Sequence, residues 1–80
     1  ILIEDIVETG NTLNYLIEKL NVRKPNSISV CSLLLKPAAL GKRPAELKYV
    51  GFEIQNDYVI GYGLDYKELG RNLREIYRKV

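Results

Sequence analysis

Ile1-Leu2-Ile3-Glu4-Asp5-Ile6-Val7-Glu8-Thr9-Gly10-Asn11-Thr12-Leu13 passes from an apolar run, through an acidic pair, into a turn-rich segment. The apolar run predicts a buried strand, Ile1 to Ile3, that stops at Glu4-Asp5. Thr9 to Thr12 consists of residues that favour turns and helix starts. Beyond it Leu13, Leu16, Ile17 and Leu20 recur at helical spacing and form one apolar stripe, with Asn11 or Thr12 available as N-cap. Lys24-Pro25-Asn26 stops the helix, because proline biases the residue before it away from the helical region. Ser27 to Lys36 is rich in β-branched residues and leucine and predicts a second buried strand. A strand-turn-helix-strand unit of this kind implies an α/β fold with parallel strands joined by a right-handed crossover.

Working outward, Pro37 to Lys48 carries two prolines, Gly41 and several basic residues, and reads as a surface loop. Tyr49 to Ile54 predicts a strand, Gln55-Asn56-Asp57 a turn, and Tyr58 to Tyr62 another strand. Leu64 to Leu73 reads as a turn of helix or an irregular segment, and Ile76 to Val80 as a last short strand. No internal repeat, low-complexity tract or linker interrupts the chain. Its 80 residues suit one small domain, with 46% apolar and 28% charged residues, the balance of an ordinary globular protein. A net charge of +2 is too small to point to nucleic acid or an acidic membrane surface. Cys31 is the single cysteine, so no internal disulfide forms, which fits a reducing compartment. No apolar run approaches the roughly 20 residues of a membrane span. Ile1 already lies inside an apolar run, so the expectation is a single, incomplete domain over residues 1–80, cut from a longer chain.

The loop between the first strand and the helix carries the chemistry. In an open α/β sheet, ligands bind beyond the carboxyl ends of the strands, where this loop must lie. Its backbone N–H groups and the helix N-terminus favour an anion, above all phosphate. Gly10 allows close backbone approach, and Thr9 and Thr12 add hydroxyls. The acids just upstream suit hydroxyls or a cation rather than a phosphate, and a ribose 5-phosphate needs both kinds of partner. On spacing alone, a capped surface helix with a solvated acidic loop accounts for the same residues equally well.

The whole run from Ile1 to Leu13 resembles the phosphoribosyl-pyrophosphate-binding motif of type I phosphoribosyltransferases: apolar residues, two acids, two apolar residues, an Asp, Thr or Ser, Gly, a variable residue and Thr. Ser32-Leu33-Leu34-Leu35-Lys36, Val50-Gly51-Phe52-Glu53-Ile54 and Tyr58-Val59-Ile60-Gly61-Tyr62-Gly63-Leu64-Asp65-Tyr66 are similar, in the same order, to segments of the hypoxanthine-guanine branch, and Arg71 follows at the family distance. The resemblance covers nearly the whole chain and implies the C-terminal half of that fold: a mostly parallel sheet with a strand-loop-helix-strand phosphate-binding unit.

By that resemblance, Glu4 and Asp5 hold the ribose hydroxyls and, through water, magnesium. Thr9, Gly10, Asn11 and Thr12 cradle the 5-phosphate. Glu8 stands at the family's catalytic Asp, near purine N7. Lys36 donates to the 6-oxo group, Tyr58 stacks on the purine, and Val59 reads the base edge through its backbone. Asp65 binds magnesium and Arg71 contacts pyrophosphate. Taken singly, each has a plainer reading: a solvated lysine, a half-buried tyrosine, a turn aspartate, a surface arginine. Two departures stand out. Glu8 is longer than the usual Asp by one methylene, about 1.5 Å, and only three apolar residues precede Glu4.

The implied activity is magnesium-dependent transfer of phosphoribose from phosphoribosyl pyrophosphate to hypoxanthine or guanine, in purine salvage. The implied partners are that sugar phosphate and a 6-oxopurine, not nucleic acid or membrane, in a cytoplasmic homo-oligomer, dimer or tetramer. A close alternative accepts xanthine as well. A non-catalytic sensor of phosphoribosyl pyrophosphate is a rival from another class, but it has no need of Lys36, Tyr58 and Asp65 together. The third reading is an inactive piece of the enzyme, since the pyrophosphate loop and the lid belong to the family's N-terminal half.

Overall fold

The computed structural model describes residues 1–64, 67 and 69–78. It contains β1 (Leu2–Val7), α1 (Asn11–Asn21), β2 (Val30–Leu35), α2 (Pro37–Leu40), β3 (Leu47–Glu53), β4 (Val59–Ile60) and β5 (Tyr77–Arg78). Strands β1, β2 and β3 form a parallel sheet in that order, and β4 and β5 pair antiparallel apart from it. The α/β class and the parallel strand-loop-helix-strand unit are as the sequence implies.

The core forms where the apolar stripe of α1 meets the sheet. Val7, Leu13, Ile17, Val30, Leu35 and Leu47 make one buried cluster, with Leu2, Ile28, Leu40 and Val50 packed against it. Burying apolar side chains in this way is the main favourable term in folding. The buried polar residues are satisfied: Ser32 Oγ donates to Leu34 O at 2.6 Å, and no buried side-chain polar atom among the described residues lacks a hydrogen-bond partner.

Several boundaries differ from the sequence reading. β1 does not stop at the acidic pair but runs through Glu4 and Asp5 to Val7. Ladder bonds are made by the backbone, and alternate side chains leave the sheet plane, so carboxylates at a sheet edge do not end a strand. Neither Asn11 nor Thr12 is the N-cap; Gly10 is, at φ 84 and ψ 3, with no side-chain cap, and Asn11 is already helical. The helix ends at Asn21, three residues ahead of Lys24-Pro25-Asn26, and Lys24, the residue before the proline, leaves the helical region at φ 51 as expected. β2 is shorter than expected and begins only at Val30.

The expected loop from Pro37 to Lys48 contains α2, and β3 already starts at Leu47. Pro37 sits in the first turn, where its missing N–H removes no hydrogen bond. β3 also meets β2 irregularly: Val30 faces Leu47 but Cys31 faces Tyr49, which leaves Lys48 as an extra residue. Of the expected strand Tyr58 to Tyr62, only Val59–Ile60 forms a strand, followed by an isolated bridge between Gly61 and Leu64. Gly61 (φ 98) and Tyr62 (φ 51) turn the chain there, and a Cβ on Gly61 would collide with the carbonyl of Glu75.

Candidate functional site

β1 and β2 are adjacent and parallel, so the segments that follow them emerge side by side at the carboxyl end of the sheet. The backbone fixes this closely: Lys36 N–H donates to Val7 O at 3.0 Å, one residue before Glu8. Lys36 is 5% exposed although it lies just past the end of β2. Its Nζ reaches Glu8 Oε2 at 2.9 Å, and the Glu8 side chain is half exposed at 52%. A buried ammonium needs such a partner, because desolvation without one is costly.

Two hollows open at this end of the sheet. The larger, about 270 Å³, is lined by Asp5, Ile6, Glu8, Lys36, Tyr58, Val59, Gly63, Leu64 and Arg71. The smaller, about 170 Å³, is lined by Glu4, Ile6, Val7, Glu8, Thr9, Gly10, Asn11, Thr12 and Leu13. Ile6 and Glu8 belong to both, so Glu8 stands on the divide. The acidic pair is divided as well, Glu4 on one side and Asp5 on the other. Asp5 Oδ1 also accepts the Ile6 N–H at 2.7 Å.

The smaller hollow takes its shape from the turn. Gly10 O accepts from Asn14 N–H at 2.8 Å, the first bond of α1. Without a side-chain cap, the N–H groups of the first helical turn face the loop, where the helix dipole also favours an anion. Thr9 Oγ1 lies at 3.5 Å from Asn11 N, at the limit of hydrogen bonding. Together these groups offer backbone donors and hydroxyls along the turn, with two carboxylates, Glu4 from β1 and Glu8, on the same hollow.

The larger hollow is bounded by cations and carboxylates in equal number, Lys36 and Arg71 with Asp5 and Glu8. Tyr58 and Val59 supply the apolar side. Arg71 is anchored by exchange with one residue: its Nη1 donates to Gly63 O at 3.1 Å, and Gly63 N–H donates to Arg71 O at 2.9 Å. This arrangement offers a donor-only ammonium, a carboxylate on the same wall and an aromatic ring, which is what a flat polar heterocycle requires.

The expected site residues therefore gather around two adjoining hollows. Asp65 lies outside the described residues. Three features escaped the sequence reading. The Lys36–Glu8 pair depends on strand register, which the sequence does not display. Gly63 and Leu64 line the larger hollow, and the Gly61-Tyr62-Gly63 pattern was a usable signal for a turn there. Leu40 touches the phosphate-type loop from α2, in a segment whose prolines read as loop.

No helix among the described residues is long and apolar enough to cross a membrane. The profile of the phosphoribosyl transferase domain family matches residues 1–67. The hypoxanthine-guanine phosphoribosyltransferase of Mycobacterium avium is 49% identical over 76 residues, which is 95% of this chain and 37% of that protein. A crystal structure of a Bacillus anthracis hypoxanthine-guanine phosphoribosyltransferase superposes with a TM-score of 0.88 at 37% identity, over 98% of this chain and 45% of that one. The hypoxanthine phosphoribosyltransferase of Trypanosoma cruzi, solved with its product IMP, gives 0.85 at 43% identity, over 95% and 41%. This chain thus spans about two-fifths of the length of the relatives it matches.

Proposed function

This chain belongs to the phosphoribosyl transferase domain family, and from that premise we propose that the complete protein transfers phosphoribose from phosphoribosyl pyrophosphate to hypoxanthine or guanine. The observation that carries the proposal is the adjacency of the two hollows across Glu8, one shaped by the Thr9–Thr12 turn and the other by Lys36 and Tyr58. A nucleoside 5-phosphate has the same two parts. Its phosphate takes the N–H groups and hydroxyls of the turn, and its purine takes the side of Lys36, with Tyr58 against the ring and the Val59 backbone at its edge.

In this reading Glu4 and Asp5 accept from the ribose hydroxyls. Lys36 donates to the 6-oxo oxygen, and Glu8 takes the proton lost by the base at N7 as N9 attacks ribose C1. Pyrophosphate leaves from the same carbon, toward Arg71. Positioning and electrostatics do most of the work in such a transfer.

No group of three His, Cys, Asp or Glu side chains able to hold a metal occurs among the described residues. Magnesium keeps several waters and completes its shell with substrate phosphates, so it needs few protein oxygens. Glu4 and Asp5 line different hollows, so they would hold it through water rather than chelate it together, with Asp65 as the further carboxylate that the family resemblance implies. When bound, it supplies charge neutralisation at the pyrophosphate oxygens.

The test is base choice. Lys36 has donors and no acceptor, so it pairs with a 6-oxo group and not with a 6-amino group. Sites built on one such bond discriminate strongly, on the order of 10⁴-fold. Expected are turnover of hypoxanthine or guanine by the complete protein, none of adenine, and loss of that preference in Lys36→Ala. Efficient use of adenine by the unmodified protein contradicts the reading.

A further inference from the structure

The segment after β2 grips the segment after β1 at three points. The first is the backbone bond from Lys36 N–H to Val7 O at 3.0 Å. The second is the ion pair of Lys36 Nζ with Glu8 Oε2 at 2.9 Å. The third is steric and lies two residues past Glu8 and four past Lys36: a Cβ built on Gly10 would stand 2.6 Å from Leu40 Cδ1. The Gly10 backbone is therefore in direct contact with the Leu40 side chain. Lys36 and Leu40 are themselves tied by α2, where Leu40 N–H donates to Lys36 O at 3.1 Å. Leu40 is partly buried and also packs against the core cluster, which limits how far it can move.

This geometry has a consequence for the turn. Gly10 holds φ 84, a left-handed conformation with no side-chain cap to fix it. Glycine reaches that conformation easily and leaves it easily. Within the turn, Gly10 is fixed by the bond from Asn14 N–H to its carbonyl; from outside α1 and the turn, the neighbour at its Cβ position is Leu40, with Asn14 Nδ2 next at 3.6 Å. We propose that Leu40 is a positioning residue: it presses on Gly10, keeps the Thr9–Thr12 turn in its anion-binding shape, and through α2 links that turn to Lys36. Occupancy of the larger hollow, by way of Lys36, then stiffens the smaller one. The inference deepens the phosphoribosyl-transfer reading and rests on it for the identity of the ligands, but the contact itself does not depend on that reading.

The experiment compares the unmodified protein with Leu40→Ala, Leu40→Val and Leu40→Met, using ribose 5-phosphate as the probe and amide hydrogen exchange as a second measurement. Leu40→Ala is expected to weaken ribose 5-phosphate binding about tenfold, equivalent to ~1.4 kcal/mol. Leu40→Val should fall between, and Leu40→Met, which refills the space, should restore most of the affinity. Exchange of the amides from Gly10 to Leu13 should speed up in Leu40→Ala while those of β2 and β3 stay as they were. In the unmodified protein hypoxanthine should slow exchange at Gly10, and in Leu40→Ala it should not. Unchanged affinity in Leu40→Ala, or an exchange increase spread evenly over sheet and helix, overturns the proposal and leaves Leu40 a packing residue. If the unmodified protein binds no ribose 5-phosphate, the phosphoribosyl-transfer reading fails, and exchange at Gly10 to Leu13 still decides whether Leu40 holds the turn. Should Leu40→Ala fail to fold, Leu40→Val carries the same comparison.

Discussion

The family resemblance implies an aspartate in place of Glu8, and in this chain the longer side chain brings its carboxylate to 2.9 Å from Lys36 Nζ. Shortening it by one carbon withdraws the oxygen by about 1.5 Å, too far for a hydrogen bond. Glu8→Asp is therefore expected to open the pair yet keep a carboxylate in the hollow. Glu8→Gln keeps the length and removes the charge. Exposed pairs contribute about 0–1 kcal/mol, while removing one partner of a fully buried pair costs about 3–5 kcal/mol. With Lys36 buried and Glu8 half exposed, Glu8→Gln should cost about 1–2 kcal/mol, between those limits. It would appear as a lower denaturant midpoint at unchanged slope. For turnover by the complete protein the order should be unmodified, then Asp, then Gln, with Gln about 10²-fold down if Glu8 is the base. Full turnover in Gln would reduce Glu8 to the keeper of Lys36. The acids and the threonines could be picked out from the sequence because side-chain chemistry is local, and Lys36 only through the family resemblance. Their pairing could not, because it depends on which residues of β1 and β2 face one another.

Elements were legible to the extent that they repeat. The stripe Leu13, Leu16, Ile17, Leu20 spans two turns, and α1 appears over it. α2 has four residues, too few for any period to show, and its first residue is the proline that argued for a loop. The acidic pair misled in the opposite direction: Glu4 and Asp5 looked like a strand end but continue β1. Gly10 carries the turn between β1 and α1, and the structure gives a main reason and a lesser one why another residue fits poorly there. Its φ of 84 is strained for any side chain, most of all a β-branched one. A Cβ there also meets Leu40 at 2.6 Å. Gly10→Val is expected to cost about 2 kcal/mol or more in stability and at least about tenfold in affinity for a nucleoside monophosphate. Calorimetry with IMP checks the second figure; an affinity equal to that of the unmodified protein would detach the turn from phosphate binding.

At the scale of the molecule, the described sheet has three strands, with β1 on one edge and β3 on the other. Ile3, Cys31 and Tyr49 are cross-strand neighbours, so they form one row across the sheet. Ile3 is 81% exposed and Tyr49 60%, and Cys31 is half-buried between them. An apolar row beside an unpaired strand edge invites pairing with another chain, and a domain of 80 residues has only marginal stability of its own, on the order of 5 kcal/mol. Made by itself, the 80-residue chain is expected to self-associate at micromolar concentration. Sedimentation measures this directly, and the double substitution Ile3→Lys with Tyr49→Lys should shift the chain toward monomer by placing like charges on that row. The same chain should produce no nucleotide from phosphoribosyl pyrophosphate and hypoxanthine. Its two hollows lie open to solvent, and water competes for Lys36 and for the turn amides as long as nothing covers them, which weakens the electrostatic interactions that such a transfer relies on. The two expectations separate in the experiment. A monomer without turnover would show that the exposed row is not adhesive while leaving the chemistry as argued, whereas turnover in any state of association would show that the residues between Ile1 and Val80 suffice for catalysis.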